Sequence, residues 1–401
     1  MSIHTPVRIG PAEATLIAQL GAVGAKAAAE RLSVIGLPTR KVESYHYTDL
    51  KMLLRSVPEL AHAEKATSAP ALRIPGAYRI PMTNGLADLD GREPGVLRSA
   101  LVPGSALSER DDVLVRLNMA LAAKSLKLEI AGEMEQVLHI DRRSEGGAAH
   151  VNDSVHLFVA DGGKATVIET FSGTDEAHLS NHASYVAVGK GATLTHILVD
   201  LSPAQATNFA VAEYHIAEAS VLRTVTIHAG SVLSRINLFA KFEGEGAHGD
   251  FTGLNLVSDG QHSDLTLELS HAVPRCTSKP LYKQIARGRS VAAFQGKIVV
   301  AKHAQKTDAK LMMQGLMLSD EAQILSKPEL EIFADDVVCG HGSTVGALDE
   351  DSLFYLMSRG IPKAEAESML VRGFLDEVLD PIEDEALHEA LEAVVVKWLA
   401  A

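Results

Sequence analysis

The sequence predicts a mainly β protein with a helical region at each end. Between about residues 126 and 346, short segments alternate apolar and polar residues, and Gly, Asp or Asn ends most of them. Before and after this stretch, apolar residues recur at helical spacing. The strand spacing is irregular and clear two-residue hairpin turns are lacking. These features favour a β-helix of stacked coils over the alternatives, a sandwich or a jelly roll.

Three regions follow from these patterns: a mostly helical N-terminal region (residues 1–125), the β-helix core (126–347) and a C-terminal helical region (348–401). In the first region, Pro11 opens an amphipathic helix that extends to about residue 33 and has Leu16 and Leu20 on one face. A second helix begins at Thr48 or Asp49, because either side chain can accept hydrogen bonds from the free amides of a helix start.

The core region contains segments such as "VHLFVADGGKATVIETF" and "VLRTVTIHAGSVLSRINLFAKFEG". Alternation in such strands places every second side chain inside. Glycines at the ends of the segments, such as Gly191 and Gly246, suit turns because glycine tolerates positive φ. The sequence shows no strict repeat period, so the number of coils is not predicted.

The C-terminal region switches to helical spacing. An acidic cluster, "DED", suits a helix start before "SLFYLMSRG", and Gly360 is a natural C-cap. Pro362 then restarts a helix. The final helix has one apolar stripe, which usually packs on its own domain and otherwise meets a partner; the stripe consists of Leu387, Leu391, Val394, Val395 and Trp398.

Composition narrows the class of protein. The chain has 37 Lys plus Arg against 51 Asp plus Glu, a formal net charge of −14, which disfavours nucleic-acid binding. Two distant cysteines do not form a disulfide framework, so we predict free thiols in a reducing, cytoplasmic setting. We expect neither a targeting signal nor a membrane helix, because no basic, apolar leader and no run of about 20 apolar residues is present.

Nucleotide and zinc motifs are absent from the sequence. "GGKAT", "GKGAT" and "FQGKIVV" do not complete a phosphate-binding loop of the Walker type, and no GxGxxG follows a strand. The 17 histidines include no HxH and no HxxxH pair on a predicted helix. We therefore expect each histidine to be solvated or hydrogen-bonded, and we do not expect ATP hydrolysis by this chain.

The segment Cys339-Gly340-His341 is the strongest candidate for metal chemistry. On a strand, positions i and i+2 point to the same side, so a thiolate and an imidazole could share one metal ion or one edge of a cluster. Two cysteines cannot make a four-thiolate cluster. The alternative is a buried Cys339 beside a surface His341. Cys276 is expected to be an ordinary, partly buried thiol.

A resemblance to a known family bears on this choice. Residues 327–361, "KPELEIFADDVVCGHGSTVGALDEDSLFYLMSRGI", closely resemble the signature of the SufB/SufD family of iron–sulfur cluster assembly proteins, and the "ADDV-x-C-x-HG-x-T-x-G" core resembles its SufD branch. "SHAVPRCTSKPLYKQIARGRSVAAFQGKIVV" and "AQKTDAK" between residues 270 and 310 are similar to the same family. The N-terminal "LPTRKVESYHYTDL" also matches it, although Tyr45 stands where Trp is common.

The resemblance implies a right-handed parallel β-helix (β-solenoid) flanked by N-terminal and C-terminal α-helical regions. It also implies a non-catalytic scaffold that acts with a SufB-like paralogue and a SufC-like ABC ATPase. A transient Fe–S cluster would then form in the complex, with ligands from both subunits, and no cofactor would be bound stably by the isolated chain. A homodimer is predicted when the paralogue is absent.

Residue roles follow from the same resemblance. His341 matches the family's C-x-H histidine and is the first candidate for an interfacial iron or cluster ligand; Cys339 is the second. Arg359 in "SRG" is a candidate interface residue or, equally, a charge favourable to the helix dipole. For Phe354 and Tyr355, packing on their own domain is the first expectation and partner contact the second.

Two enzyme alternatives remain at this point. An independent β-helix enzyme of the carbohydrate-active type would use paired carboxylates such as Asp335 and Asp336. It would need a groove rich in aromatic side chains, whereas aromatic residues make up only 4% of the chain. A zinc enzyme built from the scattered histidines is the weaker alternative.

Overall fold

The computed structural model describes residues 8–62, 69–105, 107–108, 110–380 and 382–400. The helices are α1 (Pro11–Ala22), α2 (Lys26–Ile35), α3 (Leu50–Leu53), α4 (Val113–Leu121), α5 (Glu350–Ser358), α6 (Lys363–Leu379) and α7 (Glu385–Ala400), with a 3-10 turn at Glu43–Tyr45. The first strands are β1 (Tyr78–Thr83), β2 (Leu86–Ala87), β3 (Leu97–Pro103), β4 (Lys124–Ile130), β5 (Leu138–Ser144), β6 (His150–Val159), β7 (Lys164–Gly173), β8 (Leu179–Val188) and β9 (Thr193–Asp200). The remaining strands are β10 (Thr207–Ile216), β11 (Val221–His228), β12 (Leu233–Phe242), β13 (His248–Val257), β14 (His262–His271), β15 (Thr277–Ala286), β16 (Val291–Val300), β17 (Asp308–Met317), β18 (Gln323–Ile332) and β19 (Val338–Gly346).

The strands form a β-solenoid of about eight turns, and each turn gives one strand to each of two sheets. The odd sheet has the order β19-β17-β15-β13-β11-β9-β7-β5-β1-β2, and the even sheet has the order β18-β16-β14-β12-β10-β8-β6-β4-β3. All pairs are parallel except β1–β2 and β3–β4. The prediction of a mainly β fold, a β-helix with helices at both ends, is confirmed.

The interior of the solenoid is an apolar core. Successive coils place residues of similar character in register, so that inward side chains stack on one another; Phe251, Phe294 and Leu311 are fully or almost fully buried there. Gly191 and Gly246 take positive φ angles of 64° and 69° in the turns, where a side chain would strain the backbone.

The N-terminal helices cover the outer face of the even sheet. Leu16, Leu20 and Leu114 pack in one cluster with Phe209 and Val211 of β10. The single helix predicted from Pro11 is two helices, because the chain turns at Gly24 with a φ of 81°. The helix predicted near residue 48 is α3, whose N-cap Asp49 accepts a hydrogen bond from the amide of Met52 at 3.1 Å.

The C-terminal helices α6 and α7 cover the outer face of the odd sheet. Val371, Leu391 and Trp398 pack against Ile197 and Ile227. The apolar stripe of α7 therefore packs on its own chain, as such stripes usually do. In addition, Lys283 Nζ on β15 donates to the carbonyl of Phe374 in α6 at 2.7 Å.

A buried ion pair fixes the segment before α3 on the even sheet. Arg235 on β12 pairs with Asp264 on β14, and both are almost fully buried. The Arg235 guanidinium also donates to the carbonyl of Ser44 at 2.6 Å and lies 4.1 Å from the ring centroid of Tyr45. Thr48 Oγ1 donates to Asp264 Oδ2 at 2.5 Å. Charge-assisted bonds of this kind hold the segment in one position on the even sheet.

Thr48→Val is expected to lower the free energy of unfolding by about 1–3 kcal/mol, because a bond to a buried carboxylate is lost while the side-chain shape is kept. Urea unfolding measures the change. The matched control is Thr166→Val on β7, since Thr166 is half-buried and its hydroxyl makes no hydrogen bond within the described part of the chain. An equal loss in both variants would show that the bond to Asp264 is not the cause.

Candidate functional site

The last coil of the solenoid, formed by β18 and β19, is unlike the others. Among the described strands, β18 pairs only with β16, and β19 pairs only with β17. In the part of the chain that the structure describes, no strand pairs with the second edge of either one. We call this coil the open end. An edge without a strand partner can accept another strand, although the carbonyl of Ser326 on β18 already accepts a hydrogen bond from Tyr47 Oη at 3.5 Å.

Apolar side chains surround the open end. Ile332, Phe333, Val338 and Val345 are 40%, 61%, 59% and 43% exposed. Natural edge strands are usually protected by charge, proline or a covering loop, and an exposed apolar edge is a surface for pairing with another chain. The open end therefore has both the backbone and the side chains of a β-pairing surface.

Cys339 and His341 lie on β19 at this open end. Cys339 is in register with Ala309 of β17, and His341 with Leu311, and both β17 residues belong to the interior core. The two candidate ligands thus continue inward-facing columns, on a terminal coil that no other described strand stacks upon. Cys339 is half-buried against the core, whereas His341 is exposed. The register of β19 on β17 places the Cys339 and His341 side chains on the same side of the strand, as their spacing predicts.

The chemistry at Cys339 favours the protonated thiol. Burial raises the pKa of the Cys339 thiol, and the carboxylate of Asp308 acts in the same direction. Among the described residues, no group of three or more His, Cys, Asp or Glu side chains is arranged to hold a metal ion. Two ligands on one strand can supply only half of a tetrahedral shell. A metal ion held by Cys339 and His341 would therefore need further ligands from outside the described residues.

The other candidate residues follow the open end: Phe354 and Tyr355 lie on α5, and Arg359 is the C-cap of that helix. Phe354 is 74% exposed and Tyr355 is 56% exposed, so neither packs on its own domain as first expected. The Arg359 guanidinium lies 5.2 Å from the ring centroid of Tyr355, which brings these two candidates together. A shallow depression lies beside them and is lined by residues of α5 and by Leu370 of α6.

The paired carboxylates considered for an enzyme lie in the turn between β18 and β19. Asp336 forms an ion pair with Lys306, and both side chains are largely exposed. Gln305 Oε1 accepts a hydrogen bond from the backbone amide of Asp336 at 2.9 Å. The carboxylate of Asp336 is thus bound to a neighbouring turn of the solenoid.

Histidines of the core make hydrogen bonds. His182 Nδ1 lies 2.9 Å from Asp153 Oδ1, and His196 Nε2 lies 2.9 Å from Glu169 Oε1. Burial lowers the pKa of His150 to about 3, so its imidazole is neutral at physiological pH. Cys276 is buried and donates from Sγ to the carbonyl of Gly244 at 3.3 Å. These contacts are those of structural side chains.

Sequence reasoning missed two features of the molecule. One is the apolar rim of the open end, which consecutive apolar residues at Ile332 and Phe333 could have revealed, since an alternating strand would bury only one of them. The other is a buried charge network around Arg142, whose members are far apart in sequence. Every residue of β5 is buried, so an alternation of buried and exposed positions does not single out Arg142.

Within the described residues, no helix has both the length and the apolar character that crossing a membrane requires.

These features define a class: a β-solenoid protein whose helices cover both outer faces and whose last coil is left free to pair. The family described as "SUF system FeS cluster assembly, SufBD core domain" matches residues 142–374, more than half of the chain. The chain belongs to this SufBD family, and it is similar to SufD. The predicted family is confirmed.

Relatives agree with the family match. The chain is 29% identical to the iron–sulfur cluster assembly protein SufD of Escherichia coli, over 91% of this chain and 90% of the relative. It is 33% identical to a SufBD family protein of Synechocystis over 55% of this chain and 49% of that protein. It is 31% identical to a SufBD family protein of Mycobacterium tuberculosis over 69% of this chain and 64% of that protein.

Proposed function

We propose that this chain is a non-catalytic scaffold subunit of the SUF machinery, acting in the cytoplasm with a SufB-like paralogue and a SufC-like ABC ATPase. The observation that carries the proposal is the open end, where β19, with one edge that no described strand pairs with, presents Cys339 and His341 beside an apolar rim. A paralogous solenoid pairs its own last coil with this edge by β-augmentation. No catalytic residue is assigned to this chain.

The Fe–S cluster is the cargo of this assembly, and its shell is shared. His341 and Cys339 supply part of the ligands, and the paralogue supplies the rest. Bringing iron next to Cys339 favours the thiolate, because a metal ion lowers the pKa of a coordinating thiol and releases its proton. The isolated chain, with two ligands and a protonated thiol, holds no cluster stably.

The ATPase partner is proposed to dock on α5. Phe354 and Tyr355 give that helix exposed aromatic surface, and Arg359 stacks near Tyr355. Aromatic and Arg side chains are the residue types that dominate binding energy at interfaces. The sequence has no Walker motif, which agrees with ATP being hydrolysed by a separate subunit.

A second copy of this chain is the proposed partner of the open end when the paralogue is absent, because paralogous pairs preserve a pseudo-symmetric interface. Static light scattering of the purified chain tests this directly. A monomer at high concentration would count against it, while leaving pairing with the paralogue open to the next experiment.

The double substitution Phe333→Glu and Val338→Glu is expected to weaken binding of a SufB-like paralogue by about tenfold or more, because two carboxylates would have to be buried unpaired in the interface. Isothermal titration calorimetry of the two purified subunits measures the change. Both positions are exposed, so the fold of the chain is retained.

The matched control is Val34→Glu on α2, which changes an equally exposed apolar residue, 64% exposed, far along the chain from the open end. It is expected to bind the paralogue like the unchanged protein. If the double variant also binds normally, the paralogue docks elsewhere and the proposed use of the open end is wrong.

A further inference from the structure

A cavity of about 520 Å³ lies between α7 and the turns at one margin of the odd sheet. Its walls come from the loop after β9, the turn between β13 and β14, and the α7 face that includes Ala393, Val394 and Trp398. The volume is typical of pockets that hold small molecules. None of the elements that form the open end contributes to it, so the proposed scaffold role leaves this cavity without a use.

The charges of the cavity lining are one-sided. Arg287 and Lys397 line it, and none of the described lining residues is acidic. This stands out in a chain with a formal net charge of −14. Asp259 acts electrostatically on Arg287 from outside the lining, and its Oδ1 accepts a hydrogen bond from the backbone amide of Arg289 at 2.8 Å. The lining therefore favours a negatively charged occupant.

Arg287 keeps unused hydrogen-bonding capacity. One guanidinium nitrogen donates to the carbonyl of Trp398 at 2.9 Å, and the guanidinium carbon lies 4.3 Å from the ring centroid of Trp398. In the described part of the chain the structure shows no other hydrogen bond from this guanidinium, which has five N–H donors. Stacking fixes the plane of the group, so the remaining donors are held in position for a carboxylate.

The rest of the lining is largely apolar. Leu72, Leu201, Val394 and the ring of Trp398 provide it. An occupant that suits both the basic residues and the apolar wall has a carboxylate at one end and a hydrocarbon body at the other. The carboxylate then replaces water at the basic side chains, and the hydrocarbon replaces water at the apolar wall.

We propose that this cavity is a binding site for a small amphiphilic carboxylate of the medium-chain fatty acid type. The carboxylate is held by Arg287 and Lys397, and the chain lies against Leu201, Val394 and Trp398. Because the ligand contacts both α7 and the solenoid, binding also tightens the attachment of the C-terminal helix to the core.

Binding can be followed by the fluorescence of Trp398, because it is the single tryptophan of the chain. The full-length protein is titrated with decanoate, decanol and decyltrimethylammonium while tryptophan fluorescence is followed. Decanoate is expected to give a saturable change with a dissociation constant about tenfold lower than that of decanol, the size of one charge-assisted contact. Equal affinities for decanoate and decanol would overturn the role of the two basic residues.

Two variants locate the site. Ala393→Phe fills the cavity from an exposed position of α7 and is expected to abolish the decanoate signal, while Lys397→Ala is expected to weaken binding about threefold to tenfold. Lys363→Ala, an exposed lysine at the start of α6, is the matched control and should leave binding unchanged. Circular dichroism confirms that each variant is folded. Unchanged decanoate binding by Ala393→Phe, or no saturable signal from the unchanged protein, would reject the site.

Discussion

Replacing Arg142 with methionine is expected to lower the free energy of unfolding by about 3–5 kcal/mol at neutral pH, because the change leaves buried carboxylates without their cation. Arg142 on β5 is fully buried. Its guanidinium pairs with Asp153 of β6 at 2.7 Å and with Glu169 of β7, and it donates to Ser184 Oγ at 2.7 Å. One guanidinium therefore contacts two carboxylates inside the solenoid.

The pH dependence of this network follows from the pKa values of its carboxyls. Burial alone would raise the pKa of both carboxyls, but His182 and Arg142 hold the pKa of Asp153 below its ordinary value, and Arg142 and His196 do the same for Glu169. A carboxyl with a lowered pKa stabilises the fold above its unfolded pKa of about 4, and this stabilisation is lost as the pH falls through the folded pKa. The native network is thus fully effective at neutral pH.

In Arg142→Met, burial becomes the main influence on a carboxyl that has lost its cation, and the direction of its pKa shift is reversed. Its pKa rises, and protonation relieves the unpaired charge as the pH falls. The stability difference between Arg142→Met and the unchanged protein is therefore expected to be smaller at pH 5.5 than at pH 7.5. Urea unfolding at the two pH values measures it, with Arg98→Met, an exposed arginine of β3, as control. A difference that is independent of pH would mean that lost packing, and not charge, causes the destabilisation.

The sequence predicted the fold class because solenoid strands keep a simple local pattern. Alternation and turn glycines are properties of neighbouring residues, and they identified the strands, as helical spacing identified the helices at both ends. Local pattern could not show which strand is last in the stack. Cys339 and His341 lie on a coil that has no further neighbour among the described residues, which is a property of the whole stack, although their common side followed from spacing alone.

Long-range charge compensation was beyond sequence reasoning for the same reason. Arg142, Asp153 and Glu169 come from three successive strands, β5, β6 and β7, and only the coiling of the chain brings them together. The break between α1 and α2 was more accessible, since Gly24 lies inside the predicted helix. Propensity weighs against glycine there but does not tell whether the helix bends, ends or continues.

The substitution with the largest expected effect on function is His341→Ala in the complex with a SufB-like paralogue and a SufC-like ATPase. We expect anaerobic iron and sulfide incorporation to fall by about tenfold or more, because removing a supporting contact of a metal shell already costs 10- to 100-fold and His341 is proposed as a direct ligand. The side chain is exposed at the open end, so the chain folds and the three subunits still assemble. Size-exclusion chromatography of the complex verifies the assembly before the cluster is measured.

His62→Ala is the matched control, because His62 is an exposed histidine before β1, and the amide of its neighbour Ala61 bonds to the carbonyl of His150 on β6, several coils from β19. Cys339→Ser separates the two candidate ligands: a serine hydroxyl keeps the size of the side chain but does not offer a thiolate. If both His341→Ala and Cys339→Ser lower iron and sulfide content while the complex persists, the ligand set is shared as proposed. If the His341→Ala complex incorporates as much iron and sulfide as the control, His341 is not a ligand. The open end then serves only to pair the two solenoids, because the exposed edge and the apolar rim remain in that variant.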